Sequence, residues 1–166
     1  LARARGDIRI NVLVHTAHAR QFNAMLHAAN PDAALNLIQV GEIDTAMAAM
    51  LAERIDRGEF VVITGDRIPV INESEVVHCD FLGAPARFPL GPWLMASIFR
   101  CPLLALFGSR RGDSYHLSVT PLADDIRLPR RNRAEAAQLL VADYARLLET
   151  ECEAAPLQWF NFFPFW

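Results

Sequence analysis

Short apolar runs alternate with helical patterns through the first part of the chain. Three runs rich in branched or aromatic side chains predict strands: Ile8–His15, Leu35–Val40 and Phe60–Thr64. The spacing of apolar residues over Ala19–Ala29 predicts a helix, and a second helix begins at Asp44 or Thr45 and ends before Gly58. Strands that alternate with helices of this length are typical of an α/β fold, in which a mostly parallel sheet is flanked by helices.

The second part of the chain predicts further strands and a long final helix. In chain order the predicted elements are a strand Val76–Leu82, a helix Pro92–Phe99 and two strands, Pro102–Phe107 and Tyr115–Thr120, joined by a hairpin over Gly108–Ser114. Asn132 followed by Glu135 resembles a capping box at the start of the last helix. The predicted apolar face of that helix is Ala136, Leu139, Leu140, Tyr144, Leu147 and Leu148.

Two turns carry candidate chemistry. Asp66 and Arg67 follow the apolar run Phe60–Thr64, which has the pattern of a strand buried on both faces, and ligands of α/β sheets bind at such strand ends. The second turn is the string FPLGP at positions 88 to 92, which opens a helix and whose backbone N–H groups can bind an anion or an oxyanion. The alternatives are an Asx turn beside a solvated arginine and a rigid turn with proline at the first helical position.

Composition narrows the class of protein. With 166 residues and 52% hydrophobic content, the chain fits one domain with a core, and we assign residues 1–166 to that domain. A net charge of −3 and a pI near 5.9 argue against a nucleic-acid partner. Three cysteines that lie far apart predict neither a disulfide framework nor a metal site, which fits a reducing, cytoplasmic setting.

Charge and aromatic residues cluster near the end of the chain. The arginines at 127, 130, 131 and 133 lie where a helix begins, so they either attract an acidic carrier protein or anionic lipid, or form a solvated loop. Six aromatic residues follow within positions 159–166. We expect the first half of this tail to pack on the domain, and we expect Phe165 and Trp166 to be where a membrane contact would be found.

The order of these segments resembles the lysophospholipid acyltransferase superfamily, and most closely its bacterial lipid A biosynthesis acyltransferase branch. Besides the two turns, the matching segments are Pro102–Phe107 with Arg110 behind it, Tyr115–Pro121, and the closing string PLQWFNFF at positions 156 to 163. The resemblance implies a glycerol-phosphate acyltransferase-like fold, of which this chain is the C-terminal portion.

The same resemblance implies an activity and its partners. It implies transfer of a fatty acyl group from an acyl carrier protein or coenzyme A thioester to a lipid-like acceptor, without a cofactor or a metal. The substrate-binding residues implied are Asp66, Arg67, Phe88, Pro89, Gly91 and Arg110. Arg67 is expected to bind a phosphate or carboxylate, Asp66 to position Arg67, and Gly91 to let the ligand approach the backbone. Leu90 stands where many relatives have a glutamate.

The catalytic base is the main departure from the family pattern. Members carry a histidine and, after four further residues, an aspartate, but the residues at this distance from His15 and His18 are Arg20 and Asn23. We therefore expect the chain to begin just after that motif and residues 1–166 alone to be inactive. A weaker candidate is His15 as general base, with Asp66 as its partner.

Two other classes of function compete with a transferase. A non-catalytic relative could bind an acyl carrier or a lipid through the same fold. For either function we expect a cytoplasmic protein that can bind peripherally to the inner face of the cytoplasmic membrane. An α/β nucleotide-binding domain is disfavoured, because the sequence has neither a glycine-rich dinucleotide fingerprint nor a P-loop.

Overall fold

The structure is a computed structural model that describes residues 8–14, 21, 24–25, 28, 35–39, 45–68, 75–162 and 164–166. The chain divides into two compact units, Leu1–Thr64 and Gly65–Trp166. The unit boundary falls immediately before the turn that contains Asp66 and Arg67. Strands and helices occur along the chain, which confirms the predicted α/β class.

The first unit contains a parallel sheet and one of the predicted helices. Its elements are strand β1 at Ile10–Val14, strand β2 at Leu35–Gln39, helix α1 at Thr45–Asp56 and strand β3 at Phe60–Val62. The strand order is β2-β1-β3, and both neighbours of β1 pair with it in parallel. Gly58, with φ of 79°, follows α1 in the left-handed conformation that ends many helices. The parallel sheet predicted from the sequence is confirmed for these strands.

A buried polar side chain fixes the register of this sheet. Asn11 in β1 is fully buried, and its amide nitrogen donates to the Glu59 carboxylate at 3.0 Å and to the Phe60 carbonyl at 3.2 Å. Its amide oxygen accepts a hydrogen bond from the Arg54 guanidinium. The bond from Asn11 lowers the pKa of the Glu59 carboxyl. Because a one-residue slip would break this whole network, Asn11 favours a single pairing of β1 with β3.

Strand β3 is less buried than its apolar sequence predicts. Phe60 is 46% exposed, and β3 is at one edge of the described three-stranded sheet. The sequence had suggested a strand buried on both faces, and the exposure of Phe60 contradicts this expectation. The predicted helix Ala19–Ala29 lies largely outside the described residues, and so does His15.

The second unit is built from two antiparallel hairpins and two helices. Its elements are β4 at Val76–Phe81, β5 at Ala84–Pro89, α2 at Gly91–Phe99, β6 at Leu103–Arg111, β7 at Ser114–Ala123, α3 at Arg133–Ala154 and a 3₁₀ turn at Pro156–Gln158. Strand β4 pairs with β5, and β6 pairs with β7. The prediction of a mostly parallel sheet is therefore met only in part, since two of the three described sheets are antiparallel.

Short turns explain the antiparallel pairing. Leu82 and Gly83, with φ of 50° and 81°, form the two-residue connection between β4 and β5, and positive φ at both positions matches the twist of a hairpin. The Leu82 backbone N–H donates to the Glu149 carboxylate at 3.0 Å, which ties this turn to α3. The β6–β7 hairpin agrees with the prediction from the sequence, whereas strand β5 was not predicted.

The packing face of helix α3 overlaps the predicted one only in part: Leu140, Tyr144 and Leu148 contact the core as predicted. Its buried residues are Ala137, Val141, Ala145, Leu148 and Cys152. Leu139, which we had assigned to the apolar face, is 79% exposed, so that assignment is wrong. Alanine and valine at four-residue spacing let the helix lie close to β4, whereas the prediction had followed the larger leucines.

The start of α3 also differs from the prediction. Asn132 precedes the helix with φ of 58°, and its side chain makes no capping hydrogen bond. A capping side chain needs an extended backbone to reach the free N–H groups, and the left-handed conformation of Asn132 directs it elsewhere. The capping box with Glu135 is therefore not formed.

The packing of the aromatic tail agrees only in part with the prediction, since Trp159 packs on the core as expected but Phe165 is buried. Phe165 is 4% exposed and lies in the core, with its ring centroid 5.3 Å from that of Phe88. Trp166 stacks on Phe81 at 6.1 Å, although it remains 56% exposed. Phe160 and Phe162 are exposed as well. Among the described residues, no helix has the length and apolar character needed to cross a bilayer.

Candidate functional site

Tyr144 on α3 brings the two candidate turns together. A Cβ atom placed on Gly65 would lie 2.7 Å from the Cζ atom of Tyr144, so the glycine backbone rests directly on the phenol ring. The same ring meets Phe88 of β5 at a centroid distance of 6.2 Å and Trp93 of α2 at 5.7 Å. Tyr144 therefore contacts both the turn that leads to Asp66 and the segment that leads into α2.

The surroundings of Tyr144 keep its ring fixed and its hydroxyl neutral. Phe107 of β6 stacks on the ring at 5.7 Å, with an interplanar angle of 23°. Burial raises the pKa of the Tyr144 phenol, and the negative charge of Asp66 raises it further. The phenol therefore stays protonated at neutral pH. The sequence analysis had placed Tyr144 on the apolar face of a helix without assigning it to the site.

Asp66 is held by the closing segment of the chain. Its half-buried carboxylate accepts a hydrogen bond from the indole Nε1–H of Trp159, with a nitrogen to oxygen distance of 2.9 Å. Burial raises the pKa of the Cys152 thiol to about 11, and the charge of Asp66 contributes to that shift. Asp66 thus lies near α3 and the tail, whereas the next residue, Arg67, is exposed.

The FPLGP segment divides into a buried part and an open part. Phe88 is fully buried, and the buried Pro89 accepts a hydrogen bond at its carbonyl from the Trp93 indole at 3.1 Å. Leu90 is 4% exposed and precedes α2 without a side-chain cap. A Cβ atom on Gly91 would meet nothing within 4 Å. There is therefore open space beside Gly91, whereas Phe88 and Pro89 are buried.

Arg110 is held in place through its backbone. Its N–H donates to the Gln158 side-chain oxygen at 2.7 Å, and its carbonyl accepts from the Gln158 amide nitrogen at 2.8 Å. Its guanidinium instead donates to the Gly112 carbonyl at 2.9 Å and lies 3.7 Å from the Asp113 carboxylate. The side chain of Arg110 is thus directed to its own hairpin, and it forms no described ion pair with Asp66.

Gln158 and Trp159 are the functional candidates that sequence reasoning missed. The closing string was recognised as characteristic, but no role was assigned to its residues. In the structure these two neighbours hold Arg110 and Asp66, respectively. A signal was present, because a glutamine and a tryptophan each bring side-chain donors into an otherwise apolar string.

The histidine candidates lie outside the described residues. His15, and with it the pairing of His15 with Asp66, is therefore not tested by the structure. The prediction considered His15 and His18, but one further pair, His27 and Asp32, has the family's spacing. These two residues are also outside the described part of the chain. The expectation that the sequence contains no pair with this spacing is therefore wrong.

The fold and the motif order define an α/β protein with the segments of an acyltransferase. The sequence matches the family described as Bacterial lipid A biosynthesis acyltransferase over residues 20–166, a range that contains both candidate turns and the closing string. The chain belongs to this family, and its membership supports a general function in acyl transfer and lipid biosynthesis. A comparison with curated proteins found no match.

Replacing Gly65 with alanine should destabilise the second unit. The new Cβ would come within 3.0 Å of Tyr144, whose ring is held by its aromatic neighbours, so overpacking should cost about 1–3 kcal/mol. Urea unfolding monitored by tryptophan fluorescence measures this change.

Gly91→Ala is the matched control for that substitution. It adds the same methyl group to open space at the start of a helix, and we expect it to leave stability unchanged or slightly raised. Equal effects of the two substitutions would contradict the packing of Gly65 on Tyr144.

Proposed function

We propose that the protein transfers a fatty acyl group from an acyl carrier protein or coenzyme A thioester to a hydroxyl or amine of a lipid-like acceptor. The observation that carries this proposal is the family match, which spans the segments that α3 and the tail assemble. Asp66 and Arg67, at the surface of that assembly, are the proposed centre of substrate binding. The proposal needs neither a metal nor a cofactor.

Arg67 is the proposed anion-binding residue. Arg67 is an exposed residue, while the adjacent Asp66 is half buried and accepts a hydrogen bond from Trp159. A planar guanidinium can bind a phosphate or carboxylate through two parallel hydrogen bonds. Asp66 then has a positioning role, because its carboxylate is occupied by the indole and it fixes the backbone from which Arg67 extends.

The start of α2 is the proposed second contact with substrate. The open space beside Gly91 leaves room for a ligand near the first turn of the helix. Backbone N–H groups at a helix start favour a negative charge, as on a phosphate or on the oxyanion of a tetrahedral intermediate. Tyr144 contacts both Gly65 and Trp93, so this turn and Arg67 are built on the same support.

An anionic lipid surface is a proposed partner. Phe160 is 65% exposed and Phe162 is 88% exposed, and aromatic side chains can insert at the level of lipid headgroups. The arginines at 130, 131 and 133 form no ion pair with an acidic residue in the part of the chain that the structure describes. Such arginines would attract anionic headgroups or an acidic carrier protein.

A second candidate function is binding without transfer. Exposed aromatic residues and unpaired arginines suit a module that docks an acyl carrier or a lipid as well as they suit an enzyme. The two functions differ in the fate of the thioester. Loss of an acyl thioester together with a new acylated lipid supports transfer, whereas carrier binding without thioester loss supports the binding module.

Arg67→Ala should lower acyl transfer by the protein that carries this chain. Loss of a hydrogen bond to a charged group costs about 1.5–3 kcal/mol, which corresponds to a decrease in kcat/KM of about 10- to 150-fold. Lysine should restore only part of the rate, because it cannot form the paired contact. Radiolabelled acyl thioester and extraction of the lipid product measure the rate.

Arg146→Ala provides the control for Arg67. Arg146 is an exposed arginine on α3 that pairs with Asp143, and its loss should not change kcat/KM. An Arg67→Ala protein that remains folded and keeps the wild-type rate would disprove the anion-binding role.

Changing Phe160 and Phe162 together to serine should weaken vesicle binding without loss of stability. Both side chains are exposed, so their removal leaves the core intact. Co-sedimentation with vesicles that contain phosphatidylglycerol should decrease, and added salt should decrease it again by screening the arginines. Leu139→Ser, which removes an exposed apolar side chain from α3, should have no effect.

Phe165→Ala separates a membrane role from packing within the tail. Phe165 is buried, so this change should lower stability by about 3–5 kcal/mol, as for other large core truncations. Vesicle binding by the folded fraction should be unchanged. If the Phe160 and Phe162 double variant still binds vesicles like the wild type, the proposed lipid contact is wrong.

A further inference from the structure

Trp159 forms a hydrogen bond with Asp66 in addition to its packing contacts. Its indole nitrogen donates to the Asp66 carboxylate at 2.9 Å, across 93 positions of sequence. The two other tryptophans of the chain make no such contact, since the Trp93 indole donates to a backbone carbonyl and the Trp166 indole makes no described hydrogen bond with a carboxylate. A hydrogen bond to an ionised acceptor is stronger and more directional than one to a neutral acceptor.

The indole ring is held so that its N–H has one direction. Phe81 lies against it at a centroid distance of 5.2 Å and Phe165 at 5.0 Å, both at steep angles. Phe81 and Phe165 are themselves buried in the core. The orientation of the Trp159 donor is therefore set by the core and not by Asp66.

The backbone next to Trp159 is fixed from a second side. Gln158 bonds both the N–H and the carbonyl of Arg110, so its side chain extends the edge of β6 in the way that a neighbouring strand would. Trp159 is consequently held in two ways. Its neighbour Gln158 is bonded to strand β6, and its own ring packs on the core. Both contacts are independent of the turn that contains Asp66.

We infer that Trp159 is a positioning residue for Asp66, and through Asp66 for the exposed Arg67. The indole N–H holds the carboxylate against the body of the unit, and this fixes the turn from which the Arg67 side chain extends toward substrate. This inference rests on the proposed function, in which Arg67 binds an anionic group of the donor or acceptor. Preorganised contacts of this kind lower the cost of orienting substrate groups.

The first test does not depend on activity. The chain has three tryptophans, so a ¹H–¹⁵N spectrum of the protein labelled at its indole nitrogens contains three signals from this chain, and Trp159→Phe identifies the signal of Trp159. Asp66→Ala should move that signal upfield, because the indole loses a charged acceptor, while the Trp93 signal keeps its position. An unmoved Trp159 signal would overturn the inference.

The second test measures acyl transfer by the protein that carries this chain. Trp159→Phe keeps an aromatic ring in the cluster but removes the donor, and it should decrease kcat/KM for the lipid acceptor by up to about 100-fold. Trp166→Phe makes the same change in the same cluster and should leave kcat/KM unaltered. Equal decreases for both variants would mean that the ring only packs, which would contradict the positioning role.

The two tests separate the failure of this inference from that of the proposed function. If the wild-type protein transfers no acyl group, the proposed function fails, and the indole signal still shows whether Trp159 holds Asp66. If transfer occurs and the signal responds to Asp66→Ala, but Trp159→Phe keeps the wild-type rate, the contact exists and the positioning role is wrong.

Discussion

The packing of the Tyr144 ring is the contact on which the candidate site depends. The Tyr144 ring contacts the backbone of Gly65 and the aromatic rings of Phe88, Trp93 and Phe107. No larger residue than glycine fits at position 65 without moving the ring. Tyr144, which lies on α3, therefore contacts three parts of the unit. They are the turn that contains Asp66 and Arg67, the end of β5 and the start of α2.

The closing segment of the chain also holds residues of the candidate site. Trp159 holds the Asp66 carboxylate and Gln158 holds the backbone of Arg110, while Phe165 fills the core beneath them. The segment therefore joins parts of the chain that are far apart in sequence. A binding turn fixed in this way can present an exposed arginine without losing its geometry, which is the property that an anion-binding contact in acyl transfer requires.

Local sequence patterns predicted the class of fold and several elements but not the packing. The apolar runs of β1, β2 and β4 and the glycine after α1 are local signals, so they could be recognised without the structure. The buried face of α3 was shifted because its contacts use alanines, whose small size matters only when β4 is known to lie against them. Which residues of the tail are buried could not be predicted either. Phe160 and Phe165 are the same type of residue, and their burial depends on contacts with residues that are distant in sequence. Asp66 and Arg67 could be proposed from their place after an apolar run, whereas Trp159 and Tyr144 make contacts that are distant in sequence.

The central claim is that Asp66 works in acyl transfer through its contact with Trp159. A double-mutant cycle on kcat/KM for acyl transfer, using Asp66→Ala, Trp159→Phe and the combined variant, tests it most directly. If the two residues act as one unit, the combined variant should be no slower than the slower single variant, which corresponds to a coupling energy of about 0.5–3 kcal/mol. Decreases that multiply in the combined variant would show that the residues act independently and would contradict the account.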